Sequence, residues 1–103
     1  EMPYQITLAN GYDSAVNLLH ENHYYLLITD LKMPLKNGLD LAEFAINQKY
    51  VEDVILVTGF GDEDTIEKAI KLGISDFIRK PYDEKEFKKS IEKIFSRYKL
   101  KKE

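Results

Sequence analysis

The sequence contains no cysteine, which excludes a disulfide framework and a thiolate metal site and is compatible with an intracellular protein. It also lacks any apolar run approaching the ~20 residues that a transmembrane helix needs, so we expect no membrane contact. The first residues, EMPYQ, have neither the basic leader nor the apolar segment of a signal peptide. With a net charge of -3, nothing in the composition indicates a nucleic-acid-binding surface.

What the sequence does contain is the composition of a globular domain. Its 103 residues are 44% hydrophobic and 32% charged, without linkers, repeats or low-complexity segments. This length predicts one domain at most, covering residues 1–103.

Four β-rich runs alternate with four helical patterns along the chain. Residues 4–9 alternate apolar and polar side chains, which predicts a strand with one half-exposed face. Residues 24–29 and 53–58 are continuous apolar runs, typical of strands covered on both faces of a parallel sheet, and residues 75–79 form a weaker fourth strand. The alternation predicts right-handed βαβ units, and hence an α/β fold with helices on both faces of a parallel sheet.

The helical patterns cover 13–23, 37–49, 62–73 and 83–98. We expect Asp13 to cap the first helix, Gly73 to end the third, and Asp83 with Glu86 to form a capping box on the last. The acids at 62–64 suit the positive end of a helix dipole. Apolar stripes run along the second and the last helices, at Leu39, Ala42 and Ile46 and at Phe87, Ile91, Ile94, Phe95 and Tyr98.

Polar groups stand where three of the predicted strands end. Asp30 follows the second run, Thr58 and then Gly59 close the third, and Lys80 follows the fourth. Because ligands of open parallel sheets bind outside the carboxyl ends of the strands, we expect these groups at one edge. A carboxylate nucleophile suits phosphoryl transfer when a hydroxyl and an ammonium can bind the equatorial oxygens. Gly59 would allow the backbone to approach closely.

Three stretches carry a resemblance to a known family: LLITDLKMPLKNG at 26–38, ILVTGFG at 55–61 and DFIRKPY at 76–82. They resemble the receiver domain of two-component response regulators, and the resemblance runs from residue 4 to about residue 98. It implies a flavodoxin-like parallel sheet with helices on both faces.

The resemblance also implies a role for each matching residue. Asp30 would be the phosphoacceptor, taking a phosphoryl group from a histidine kinase or a histidine phosphotransfer protein. Thr58, Gly59 and Lys80 would bind the phosphoryl group. Phe77 would be the aromatic switch that turns inward as Thr58 moves toward the phosphoryl oxygens.

Further features follow from the same resemblance. Mg²⁺ would be bound by Asp30 and by the backbone carbonyl of Lys32, and the peptide bond between Lys80 and Pro81 would be cis. The surface around 62–98 would change on activation and is one candidate face for a homodimer. The protein would act in the cytoplasm as a signalling domain, not as an enzyme, with self-catalysed phosphotransfer and dephosphorylation as its only chemistry.

The chain departs from the family pattern at its N-terminal end. Family members begin with a strand that ends in an adjacent acidic pair and then a helix, whereas the strand predicted at 4–9 matches the family's second strand. We therefore expect a receiver truncated at its N-terminus to about four strands and four helices. Its open sheet edge could be closed by residues 4–9 or by a homodimer that exchanges strands. Without the acidic pair, we expect weak Mg²⁺ binding and slow or absent phosphorylation of Asp30.

Two other functions are compatible with parts of the sequence. A pseudo-receiver would bind partner proteins without phosphorylation. A haloacid-dehalogenase-type phosphatase also uses Asp, Thr and Lys at strand ends, but Lys32 stands where its second Asp is required. His20 and His23, at i and i+3, fit a helix terminus better than a metal site. In a phosphorylated receiver, Lys32 and Phe60 would limit water access and slow self-dephosphorylation.

Overall fold

The computed structural model describes residues 5–33, 36–59 and 63–102, and the side chains of these residues up to Arg97. Within these ranges helices and strands alternate in the order α1 (Tyr12–Glu21), β1 (Tyr24–Asp30), α2 (Gly38–Asn47), β2 (Val51–Thr58), α3 (Glu63–Leu72), β3 (Asp76–Arg79) and α4 (Glu84–Lys102). No helix in the described ranges has the length and apolarity needed to cross a bilayer.

The strands form a parallel sheet in the order β1-β2-β3. In the register, Asp30 on β1 pairs with Val57 on β2, and Thr58 on β2 pairs with Arg79 on β3. The carboxyl ends of the strands therefore meet at one edge. This arrangement confirms the predicted α/β, flavodoxin-like fold.

Helices cover both faces of the sheet. Successive side chains of β2 point in opposite directions, so this strand contributes to the apolar core on each face. Val54 and Leu56 pack with α1, α2 and α3 in one apolar cluster. Ile55 faces the other way and packs against Ile91 and Ile94 of α4 in a second cluster. β2 is consequently buried along most of its length, as its continuous apolar run predicts.

The helix ends agree with the sequence except at α1. The Oδ1 atom of Asp83 accepts a hydrogen bond from the backbone N–H of Glu86 at 2.8 Å, which is one of the two bonds of the predicted capping box, and Gly73 ends α3 with a positive φ of 106°. The prediction that Asp13 caps α1 is wrong. The N-cap is Gly11, without a side-chain hydrogen bond, and Asp13 lies one residue inside the helix, where its charge complements the dipole.

The predicted strand at 4–9 is also wrong for the residues that the structure describes. Residues 5–9 form no strand, and Ile6 and Leu8 are 64% and 84% exposed. A strand exists only when a neighbour receives its backbone hydrogen bonds, and no described strand lies beyond β1. In the 2-1-3-4-5 order of the flavodoxin-like fold, another strand would separate this segment from β1. The described sheet therefore has three strands where we expected about four.

The two histidines near the end of α1 have separate packing partners. The Nδ1 atom of His20 lies 3.1 Å from the Tyr50 hydroxyl, and its ring meets Phe44 edge-on. The Nε2 atom of His23 lies 3.0 Å from a carboxylate oxygen of Glu52. Both side chains therefore tie α1 and the following turn to the amino-terminal side of the sheet.

Candidate functional site

The carboxyl edge of the sheet brings together three groups that lie far apart in the sequence. Asp30 is the last residue of β1, Thr58 is the last residue of β2, and Lys80 directly follows β3. The Nζ atom of Lys80 lies 2.9 Å from Oδ1 of Asp30, and the Lys80 backbone N–H donates to the Thr58 carbonyl at 2.7 Å. The side chains of Asp30 and Lys80 are each about half exposed, so a phosphoryl donor could reach the carboxylate.

Thr58 differs from its two neighbours because its side chain is buried. The residue is 1% exposed, and its Oγ1 atom has no hydrogen-bond partner within the described part of the chain. Leaving such a hydroxyl unpaired costs about 1–3 kcal/mol. The arrangement leaves one hydroxyl donor available to an oxygen that enters this edge.

Backbone contacts fix the loop that follows Asp30. The N–H of Leu31 donates to the Val57 carbonyl at 2.8 Å, and the N–H of Gly38 donates to the Leu31 carbonyl at 2.6 Å. Gly38 lies so close to β1 that a Cβ atom there would clash with the Asp30 carbonyl oxygen. Glycine is thus required where α2 begins against the Asp30 backbone. Pro34, the other turn residue of this loop, lies outside the described residues.

On the far side of the edge, β3 presents Phe77 and Arg79 on one face. Phe77 is half-buried against the apolar cluster that contains Leu56 and Ala69. The Cζ atom of Arg79 lies 5.8 Å from the centroid of the Phe77 ring. Beyond β3, the Lys80–Pro81 peptide bond is cis.

Two side chains of this site, Arg79 and Thr29, were not predicted from the sequence. Arg79 shares a face with Phe77, which the two-residue period of a strand could have indicated. Thr29 Oγ1 lies 3.0 Å from the Asp30 carbonyl oxygen and 3.8 Å from the Met33 sulfur, and its single hydroxyl proton can be donated to either, which ties the loop to β1. No pattern in the sequence signals that contact.

The donor set at this edge fits a Mg²⁺ ion poorly. Asp30 supplies one carboxylate, and one of its oxygens is already paired with Lys80. Across residues 5–33, 36–59 and 63–102, no three His, Asp or Glu side chains are grouped closely enough to hold a metal ion. The Lys32 carbonyl could add one oxygen, but Mg²⁺ prefers several oxygen ligands in octahedral geometry.

The described acids of the cluster at 62–64 belong to the start of α3 and add no metal site. Glu63 and Asp64 lie in the first turn of α3, as predicted for dipole complementation, and Glu63 pairs with Arg79 at 3.9 Å. Asp62 and Phe60 lie outside the described residues. Gly59 follows β2 directly, at the position predicted for close backbone approach.

The chain was compared with known proteins. Residues 1–92 match the family described as the response regulator receiver domain. The transcriptional regulatory protein MalR of Bacillus subtilis is 32% identical over 84 residues, which cover 82% of this chain and 36% of that protein. The chemotaxis protein CheY of Pseudomonas aeruginosa is 31% identical over 86 residues, covering 82% of this chain and 69% of that protein.

Solved structures show the same relationship. The signal receiver domain of an HD domain-containing protein from Pseudomonas fluorescens Pf-5 superposes with a TM-score of 0.84 at 28% identity, covering 93% of this chain and 78% of that structure. The chain thus spans little more than a third of MalR's length but most of a receiver domain's length.

Proposed function

Because the chain belongs to the response regulator receiver domain family, we propose that Asp30 accepts a phosphoryl group within a two-component phosphorelay. The observation that carries this proposal is the contact between Lys80 and Asp30 at 2.9 Å, beside the unpartnered hydroxyl of Thr58. These groups match a nucleophile and two phosphoryl-binding partners. The donor would be a histidine kinase or a histidine phosphotransfer protein.

The proposed reaction transfers the phosphoryl group from a phosphohistidine to the carboxylate. An Asp30 oxygen attacks phosphorus, the P–N bond breaks as a P–O bond forms, and the departing imidazole retains the electron pair of the broken bond and takes up a proton. The Lys80 ammonium offsets charge on the equatorial oxygens, and the Thr58 hydroxyl donates a hydrogen bond to one of them. Gly59 directly follows Thr58, and its backbone N–H would be the third group that binds the phosphoryl oxygens.

The response to phosphorylation would pass through Thr58 to Phe77. Leu56 and Phe77 are paired in the sheet register, and Thr58 and Arg79 are the next pair on the same face. A shift of Thr58 toward a phosphoryl oxygen would open space beside Phe77, which would then turn inward. The partner-binding surface around 62–98 would change as a result.

We also propose that Mg²⁺ binds weakly here and that phosphorylation is correspondingly slow. The support is that the described residues bring one carboxylate, that of Asp30, to this edge, and that it is already paired with Lys80. Receiver domains are signalling domains. For this chain we propose no chemistry beyond self-catalysed phosphotransfer and dephosphorylation. We place this one, residues 1–103, in the cytoplasm, without direct contact to nucleic acid or membrane.

The test is chemical labelling of the protein with acetyl phosphate, followed by intact mass and peptide mapping. Asp30→Asn is expected to remove the added phosphoryl group. Asp40→Asn is the matched control, because Asp40 is an exposed carboxylate in the first turn of α2 and should leave labelling unchanged. Labelling that survives Asp30→Asn would refute the phosphoacceptor, and strong stimulation by low Mg²⁺ would refute weak metal binding.

A phosphorylation-independent pseudo-receiver is the second candidate function. It is favoured by the same shortage of metal donors around Asp30. In that case no labelling would occur under any condition, and binding to a partner protein would be identical for the unmodified chain and Asp30→Asn.

A homodimer would have two candidate interfaces. One is strand exchange at the open edge that β1 forms in the described sheet, supported by the exposure of Ile6 and Leu8 in the irregular segment 5–9. The other is the face formed around 62–98. Both are proposals about the solution state, and they differ in which residues they bury.

A further inference from the structure

Arg79 contacts two elements that the proposed switch must coordinate. Its guanidinium carbon lies 5.8 Å from the centroid of the Phe77 ring, within the range of a cation–π contact. Its Nη1 atom lies 3.9 Å from a carboxylate oxygen of Glu63, in the first turn of α3. A single side chain thus links the aromatic residue of β3 to the start of the neighbouring helix.

The sheet register places this link directly beside Thr58. Thr58 pairs with Arg79, and the Lys80 N–H holds the Thr58 carbonyl. Glu63, the other partner of Arg79, lies only five residues after Thr58 in the sequence. Arg79 therefore pairs with Thr58 in the sheet and contacts both Phe77 and Glu63.

Phe77 and Arg79 lie on the same face of β3. Phe77 packs there at the margin of the apolar cluster that contains Leu56 and Ala69, and it is only partly buried. The Arg79 guanidinium contacts its ring on that face. On the opposite side, an open cleft of about 540 Å³ lies between β3 and α4.

We propose that Arg79 is a positioning residue that holds Phe77 in its half-buried orientation and, through Glu63, couples that orientation to the start of α3. The inference rests on the proposed function, because it gives a role to the residue assigned there as the switch. It adds a lock on the orientation of Phe77 that exists before phosphorylation. Half of the Arg79 side chain is exposed, so replacing it removes the contact without opening the core.

The test is ¹⁹F NMR of the protein with fluorophenylalanine at its five Phe positions, recorded without any phosphoryl donor. The Phe77 signal is assigned by its loss in Phe77→Leu. Arg79→Met keeps the length and the apolar stem but removes the cation, whereas Arg79→Lys keeps a cation. We expect Arg79→Met to shift or broaden the Phe77 signal, with a change of about two- to fivefold in the ratio of ring orientations, and Arg79→Lys to retain most of the original signal.

Two further variants separate the parts of the proposal. Glu63→Gln should give a smaller change in the same direction, and an unchanged Phe77 signal there would overturn the coupling to α3. Lys88→Met breaks an ion pair to Glu84 on α4 at 3.3 Å, which is similarly exposed, and should leave Phe77 unaffected. A Phe77 signal in Arg79→Met identical to that of the unmodified protein would overturn the lock.

This outcome is independent of phosphorylation. Failure to label Asp30 would refute the proposed function, but the ¹⁹F comparison of Arg79→Met with the unmodified protein would still test the role of Arg79. An unaltered Phe77 signal with normal labelling would refute the role of Arg79 alone.

Discussion

Gly38 offers a sharp test of how the site is built. The residue opens α2 against the end of β1, and its N–H donates to the Leu31 carbonyl at 2.6 Å. In Gly38→Ala the new Cβ atom would clash with the Asp30 carbonyl oxygen and lie 3.0 Å from the Asp30 carbonyl carbon. Both atoms belong to the backbone, so rotating a side chain cannot relieve the clash. Either the loop or the start of the helix must move.

The cost follows from these contacts. Overpacking of a well-packed site costs about 1–3 kcal/mol, and weakening the hydrogen bond to Leu31 adds about 0.5–1.5 kcal/mol. The lower entropy of alanine in the unfolded chain offsets about 0.4–1 kcal/mol. We therefore expect the free energy of unfolding to fall by about 0.5–4 kcal/mol, and the melting temperature by about 4–8 °C per kcal/mol in a domain of this size.

Urea denaturation followed by circular dichroism measures this difference directly. Gly11→Ala is the matched control, since a Cβ atom at Gly11 would meet nothing within 4 Å and its φ of 161° is extended backbone. We expect the control to change stability by less than about 1 kcal/mol. If Gly38→Ala were as stable as Gly11→Ala, the close approach of α2 to Asp30 would be refuted.

Other substitutions probe separate features. Thr58→Val removes a buried hydroxyl without a described partner. The free energy of unfolding, measured in urea, should therefore be unchanged or rise by about 1–2 kcal/mol, whereas labelling of Asp30 should fall. A loss of stability would show that Oγ1 is hydrogen-bonded. Asp83→Ala removes the cap of α4 and should cost about 1 kcal/mol in the same assay, and a neutral result would contradict the capping contact. Replacing Ile6 and Leu8 with Lys should leave the unfolding midpoint unchanged, because both are exposed, but should abolish a strand-exchanged dimer in light scattering; a dimer that persists would exclude that interface.

The sheet could be predicted where the sequence itself dictates burial. β2 is flanked by strands on both edges and helices on both faces, so its central residues, Val54 to Val57, are buried and apolar, and the run at 53–58 indicates this. Residues 5–9 carry an equally clear alternating pattern, yet they form no strand. Alternation records which side chains could face a core, whereas a strand also needs a neighbour for its backbone. That neighbour is a property of the whole fold.

The same distinction applies within the candidate site. Strand order places Asp30, Thr58 and Lys80 at one edge, so their convergence followed from topology alone. The unpaired Thr58 hydroxyl and the Arg79 contact with Phe77 depend on side-chain orientations that packing decides. Residue spacing places Arg79 on the same face as Phe77, but it predicts neither the contact between their side chains nor the unpaired hydroxyl.

The charge balance around Asp30 bears on how such a site could work. Asp30 and Lys80 together are close to neutral, and a neutral pair attracts a divalent cation far less than a cluster of carboxylates does. A phosphoryl group on Asp30 would replace one negative charge with about two. The ammonium already in contact with Asp30 can partly offset this increase, and the Thr58 hydroxyl can donate to one of the new oxygens. On the proposed function, the described residues thus offer two donors to the phosphoryl oxygens but one carboxylate to a metal ion, and this asymmetry is the reason to expect slow labelling at Asp30.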